Sequence, residues 1–167
     1  MIAVEIIPEL NVATSRLLRE IGRFSAHGFN TLMPGAEWNA GQIAEHILLT
    51  DIFIFRVLQE DVQFAGRLPD EKVKLIKDMF LDSGRRMKEE FIGVPSDSLK
   101  DPVTILQKIS RERHDIIQYL NTAEEDSLCI SYSHPHLGTL TVTEWIWFIV
   151  YHSEWYTDQL KMMETEN

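Results

Sequence analysis

Two long apolar runs of this chain each carry a histidine where a core side chain belongs. The first is Trp38-Asn-Ala-Gly-Gln-Ile-Ala-Glu-His46-Ile-Leu-Leu-Thr-Asp51. The second is Tyr151-His152-Ser-Glu-Trp-Tyr156-Thr-Asp-Gln159-Leu160, approached through His134-Pro-His-Leu-Gly-Thr-Leu-Thr-Val-Thr-Glu-Trp145. Both read as helices, and an imidazole at core depth needs a polar partner. Two such helices facing each other can meet that need with a shared metal ion or with each other's side chains.

The rest of the chain offers helices to pack around them. Apolar positions Leu10, Leu17, Ile21 and Phe24 recur near helical spacing and predict a first helix from about Val4 to His27. A break at Phe29–Glu37 contains Pro34-Gly35. Asn39 then caps a second helix, with Gln42 in the capping-box position, and that helix continues to about Gln59. Asp61–Pro69 reads as a loop. A charged third helix is expected from Asp70 to about Phe91, with Gly93 beyond its end. Asp101-Pro102 opens a fourth helix, with Ile105, Ile109, Ile116 and Leu120 on its buried side. An acidic turn at Glu124-Glu125-Asp126 leads into an irregular loop through Gly138. Thr141 and Glu144 form the capping box of a fifth helix running to about Glu164. No strand is expected. The 167 residues, 44% of them hydrophobic, suffice for one domain over 1–167. The expected fold class is all-α, a helical bundle.

Charge narrows the partners. A formal net charge of −10, with no Lys/Arg cluster to offset it, disfavours nucleic acid and anionic membrane surfaces. The single cysteine, Cys129, permits no internal disulfide. The N-terminus lacks the pattern of a signal peptide, and the apolar run Trp145–Tyr151 is too short to span a bilayer. The expected location is cytoplasmic.

At helical spacing, Ile43, His46, Thr50 and Phe53 share one face of their helix, and Phe148, His152, Tyr156 and Gln159 share one face of theirs. His152 and Tyr156 stand one turn apart, the spacing by which a helix offers two ligands to one ion. The chain resembles the DinB-like bundle proteins. The resemblance is carried by Trp38-Asn-x-x-Gln-Ile-x-x-His46 after a proline turn, His134-Pro-x-x-Gly-x-Leu-Thr before the last helix, and His152-x-x-x-Tyr156-x-x-Gln159-Leu160 at its end. It implies a four-helix bundle of up-down-down-up path, with an additional crossover helix before the third bundle helix. It also implies a divalent metal, zinc or nickel, and a transferase or hydrolase acting on a small molecule, in some relatives with a low-molecular-weight thiol. Carried onto this sequence, the ligand positions fall on His46, His152 and Tyr156, the last where the family carries histidine. A tyrosine of ordinary pKa, about 10, is neutral at pH 7 and ligates zinc poorly unless the metal lowers that value.

The same residues admit a plainer arrangement, with two buried imidazoles hydrogen-bonded to their neighbours and the Tyr156 hydroxyl as one partner. Function then divides three ways: a metal-dependent enzyme, a metal-free bundle binding a small ligand, or an interaction protein forming a homodimer through its helices. His134 and His136 read as a structural turn, His27 as a helix C-terminal residue, and His114 as surface within Arg111-Glu-Arg-His114-Asp. Cys129 reads as packing. The run Trp145, Trp147, Phe148, Trp155 and Tyr156 reads as core plus a pocket wall or an interface.

Overall fold

The structure is a computed structural model that describes residues 2–82, 92–163 and 165, with side chains from residue 5 onward. Four long helices form the bundle: α1 (Ile2–Gly22), α3 (Ala40–Gln59), α5 (Pro102–Leu120) and α6 (Val142–Lys161). Two shorter ones, α2 (Ala26–Phe29) and α4 (Val73–Leu81), lie in the connections. Helix α6 packs against α1, α3 and α4, and α5 packs against α1 and α3. Helix α4 thus falls in the crossover between the second and third bundle helices. Its expected continuation to residue 91 lies outside the described residues.

The expectation of an all-α chain is corrected by a small antiparallel sheet of order β1-β2-β3, formed by β1 (Val62–Phe64), β2 (Ser127–His134) and β3 (Gly138–Thr141). Val62 pairs with Cys129 and Phe64 with Ser127, while His134 pairs with Gly138 across the hairpin. Strands β1 and β2 lie in the expected Asp61–Pro69 and pre-Gly138 loops, and β3 fills the stretch from Gly138 to the expected helix cap at Thr141. They escape a periodicity reading because β1 is three exposed residues long, and β2 and β3 change register between Leu128 and Ser133. Pairing that joins residues so far apart in sequence is decided by the tertiary structure.

The expected first helix also divides. Helix α1 ends at Gly22, and Ser25 then caps α2 by accepting a hydrogen bond from the Gly28 N–H. The other boundaries follow their caps. Asn39 and Gln42 make a reciprocal capping box at α3, as do Thr141 and Glu144 at α6, and Asp101 accepts from Thr104 ahead of Pro102.

The core runs the length of the bundle in two clusters. One, centred on Leu10, Ile54, Ile116, Trp145 and Phe148, packs beneath the sheet. The other, centred on Leu17, Ile47, Ile109 and Leu160, packs around the paired histidines. Trp145 and Phe148 are fully buried within the chain, so the aromatic run is largely interior. No helix among the described residues is long and apolar enough to cross a membrane.

Candidate metal centre

The capping box starts α3 one residue after Asn39, so His46 falls in the second turn and faces α6. The segment after residue 91 is tied across this part of α3. Ile92 is buried, Gly93 takes φ +71°, and its carbonyl accepts a 2.7 Å hydrogen bond from Nδ1 of His46. Glu45, which points away from the site as its spacing implies, accepts from the Ser96 backbone N–H at 2.8 Å and pairs with Lys100 at 3.1 Å. The close approach requires glycine. A Cβ at Gly93 would stand 2.9 Å from the His46 carbonyl, 3.0 Å from Thr50 Oγ1 and 3.1 Å from Leu49 Cβ.

Because a carbonyl can only accept, Nδ1 of His46 carries the proton. In the neutral ring, Nε2 is then an acceptor, and it lies 3.0 Å from Nε2 of His152. His152 therefore donates through its own Nε2–H. Both rings are fully buried.

Tyr156 stands beside them, with ring centroids 5.0 Å from His46 and 4.9 Å from His152. The three residues expected to form the site do meet. The wall around them is aromatic. Trp38 lies 5.0 Å from His46, Phe148 stacks on His152 at 5.9 Å, and Phe80 of α4 meets His152 edge-on at 5.7 Å. Such a wall keeps water out and raises the strength of any polar interaction inside.

The donor set can be tested against a metal. Two imidazole nitrogens on one tetrahedral zinc, each at 2.0–2.1 Å, stand about 3.3 Å apart, and the observed separation is 3.0 Å. The His46 ring already makes the Nδ1–H to carbonyl bond that orients a ligating histidine. Two positions therefore suit a divalent ion. The third is a phenol, and among the described residues no group of three His, Cys, Asp or Glu side chains gathers around one point.

A family model described as the DinB superfamily matches residues 9–154. The chain belongs to the DinB superfamily. Members of that superfamily often bind metal. No curated protein and no solved structure gives a significant match.

The other candidates of this DinB chain take structural places. Nδ1 of His134 accepts from the backbone N–H groups of His136 and Leu137, holding the β2–β3 turn. His27 and His114 are exposed. Cys129 is buried in the core, and burial, followed by the nearby Glu144 charge, pushes its thiol up to about 12. A thiol so protonated is no nucleophile.

His114 is exposed as expected, but its neighbour Arg113, not singled out from the sequence, is 1% exposed. Its Nε donates to Asp51 Oδ2 at 2.6 Å and its Nη2 to Ser153 Oγ at 2.6 Å, while Nη1 reaches Thr14 Oγ1 at 3.0 Å. The signal was present in the sequence. Arg113 fills the core stripe between Ile109 and Ile116, and Asp51 falls between the buried Ile47 and Ile54.

A second buried acid, Glu144, was expected only as a cap. It also receives a two-pronged bond from Arg67 at 2.6 and 2.7 Å and the Lys72 N–H at 2.8 Å. That bond, ahead of the opposing cost of burial, raises the Arg67 pKa. This clasp fastens the loop before α4 to the start of α6.

Proposed function

We propose that this DinB bundle is a divalent-metal-dependent enzyme, a transferase or hydrolase of small molecules, in which His46 and His152 hold zinc or nickel and Tyr156 lines the third side. The observation that carries this reading is the pair of buried Nε2 atoms directed at each other at 3.0 Å, with His46 already held from behind by the Gly93 carbonyl. Bound there, the ion would supply Lewis acidity, polarising a substrate oxygen or activating a water or thiol.

The chain's own groups do the rest. Gly93 fixes the His46 tautomer and leaves its Nε2 lone pair for ligation. Trp38, Phe80 and Phe148 exclude water and favour an apolar or aromatic substrate portion. Tyr156 offers a phenol O–H that can hold or deliver a proton beside the ligands. Where a thiol takes part it comes from a low-molecular-weight cosubstrate, since Cys129 lies in the core with its thiol protonated.

A second reading rests on the same contact together with the phenol at the third position. The direct Nε2···Nε2 hydrogen bond joins the two imidazoles without an ion, and Tyr156 replaces a nitrogen ligand with a neutral phenol. On that reading the chain is a metal-free bundle that binds a small ligand or a protein partner. Two measurements separate the readings: metal content of the purified protein, and thermal unfolding of wild type and Tyr156→Phe with and without chelator. The enzyme reading expects bound zinc or nickel and a wild-type Tm that falls on chelation, because an ion that binds only the folded state adds to its stability. A chelator-insensitive wild type with a strongly destabilised Phe variant would overturn it.

A further inference from the structure

Arg113 joins the four bundle helices at one point. From α5 its guanidinium bonds Asp51 on α3 through Nε at 2.6 Å and Nη2 at 3.3 Å, Ser153 on α6 through Nη2, and Thr14 on α1 through Nη1. Asp51 and Ser153 are fully buried. Stability alone does not explain such a cluster, because a buried ion pair rarely outperforms well-packed apolar side chains of the same size. Its best-attested use is to fix one arrangement among several that apolar packing would accept.

The anchor points are informative. Asp51 lies five residues after His46 on α3, and Ser153 follows His152 on α6. Each helix that carries a histidine of the pair is thus gripped on a second side by the same guanidinium. An imidazole tip stands about 7 Å from its helix axis, so a rotation of about 10° displaces it by about 1 Å. A hydrogen bond, or a shared ion, tolerates about 0.5 Å. Apolar cores can accept more than one packing of similar stability, whereas a planar fork bonded to both helices fixes their angles.

We infer that Arg113 is a positioning residue: through Asp51 and Ser153 it sets the rotation of α3 and α6, and so the separation of the His46 and His152 Nε2 atoms. It acts on the imidazoles through its bonds to Asp51 and Ser153. Lysine cannot replace it, since one ammonium lacks the planar fork that reaches two helices at fixed angles.

The test uses the full chain and two kinds of variant. Ser153→Ala removes the strut to α6 and keeps the Asp51–Arg113 pair. Asp51→Leu with Arg113→Met removes both charges together, so neither is left buried alone. The first readout is the nitrogen NMR spectrum of the two imidazoles in chelator-treated, metal-free protein, which reports the His152 Nε2–H to His46 Nε2 bond independently of metal affinity. The expected result is loss of that signature in both variants, with the His46 Nδ1–H to Gly93 bond retained and the fold intact by circular dichroism. Arg113→Lys is expected to match the variants rather than wild type. A wild-type imidazole spectrum in a folded Ser153→Ala and a folded double variant overturns the inference. If the double variant does not fold, Ser153→Ala decides alone.

The second readout is zinc titration, which rests on the metal reading above. Both variants should bind zinc at least tenfold more weakly than wild type, and unchanged affinity counts against the inference. A wild type that binds no zinc overturns the metal reading instead, and the imidazole spectrum still decides the role of Arg113.

Discussion

Replacing Gly93 with alanine tests the tie that holds His46. Two costs add. The backbone at φ +71° is one that L side chains adopt at a cost of about 1–2 kcal/mol. The new Cβ would also sit 2.9 Å from the His46 carbonyl and 3.0 Å from Thr50 Oγ1, so the segment must retreat from α3. Retreat lengthens the 2.7 Å bond from His46 Nδ1, and a buried N–H left unpaired costs about 1–3 kcal/mol. The sum is about 2–5 kcal/mol, or a fall in Tm of roughly 5–15 °C for a chain of this size. Gly35→Ala supplies the control, because Gly35 has φ +79° and nothing within 4 Å of a new Cβ. It carries the backbone cost alone. Urea unfolding followed by circular dichroism measures both, and Gly93→Ala should exceed Gly35→Ala by about 1–3 kcal/mol. Equal costs for the two variants would show that the Gly93 carbonyl neither holds the imidazole nor sets its tautomer.

Four further outcomes are expected. Tyr156→His should tighten zinc or nickel binding at least tenfold by calorimetry, since a third neutral imidazole replaces a protonated phenol; equal affinities refute the ligand geometry. Arg67→Met should destabilise the protein by about 3 kcal/mol in urea unfolding, because the fully buried Glu144 carboxylate loses its cation. Glu154→Gln should raise Tm at neutral pH and have little effect below about pH 4. Burial, ahead of the neighbouring charges, raises the Glu154 pKa in the folded state, so its ionisation opposes folding as pH rises through the unfolded value. Cys129 should resist alkylation in the native protein at pH 8 and react fully once unfolded, since a thiol at about 12 is about one ten-thousandth ionised there.

What the sequence determined by itself was local and periodic. Helix starts at Asn39, Asp101 and Thr141 were legible because a cap is a contact between residues three apart, and the pattern that signals it is the pattern that forms it. The stripes bearing His46, His152 and Tyr156 were legible for the same reason: helical period fixes which side chains share a face. The tertiary structure decided the rest. It brought Val62 to Cys129 in a strand too short to show alternation, and it split the first helix at Gly22. Above all it decided which buried charges meet. The sequence shows Arg113, Asp51 and Ser153 on three helices, but only their packing brings them within one guanidinium's reach. The 3.0 Å between the two imidazoles likewise depends on how α3 and α6 are turned against each other. Periodicity gives the face of a helix to within a residue or so, and a hydrogen bond or a metal is set within fractions of an ångström.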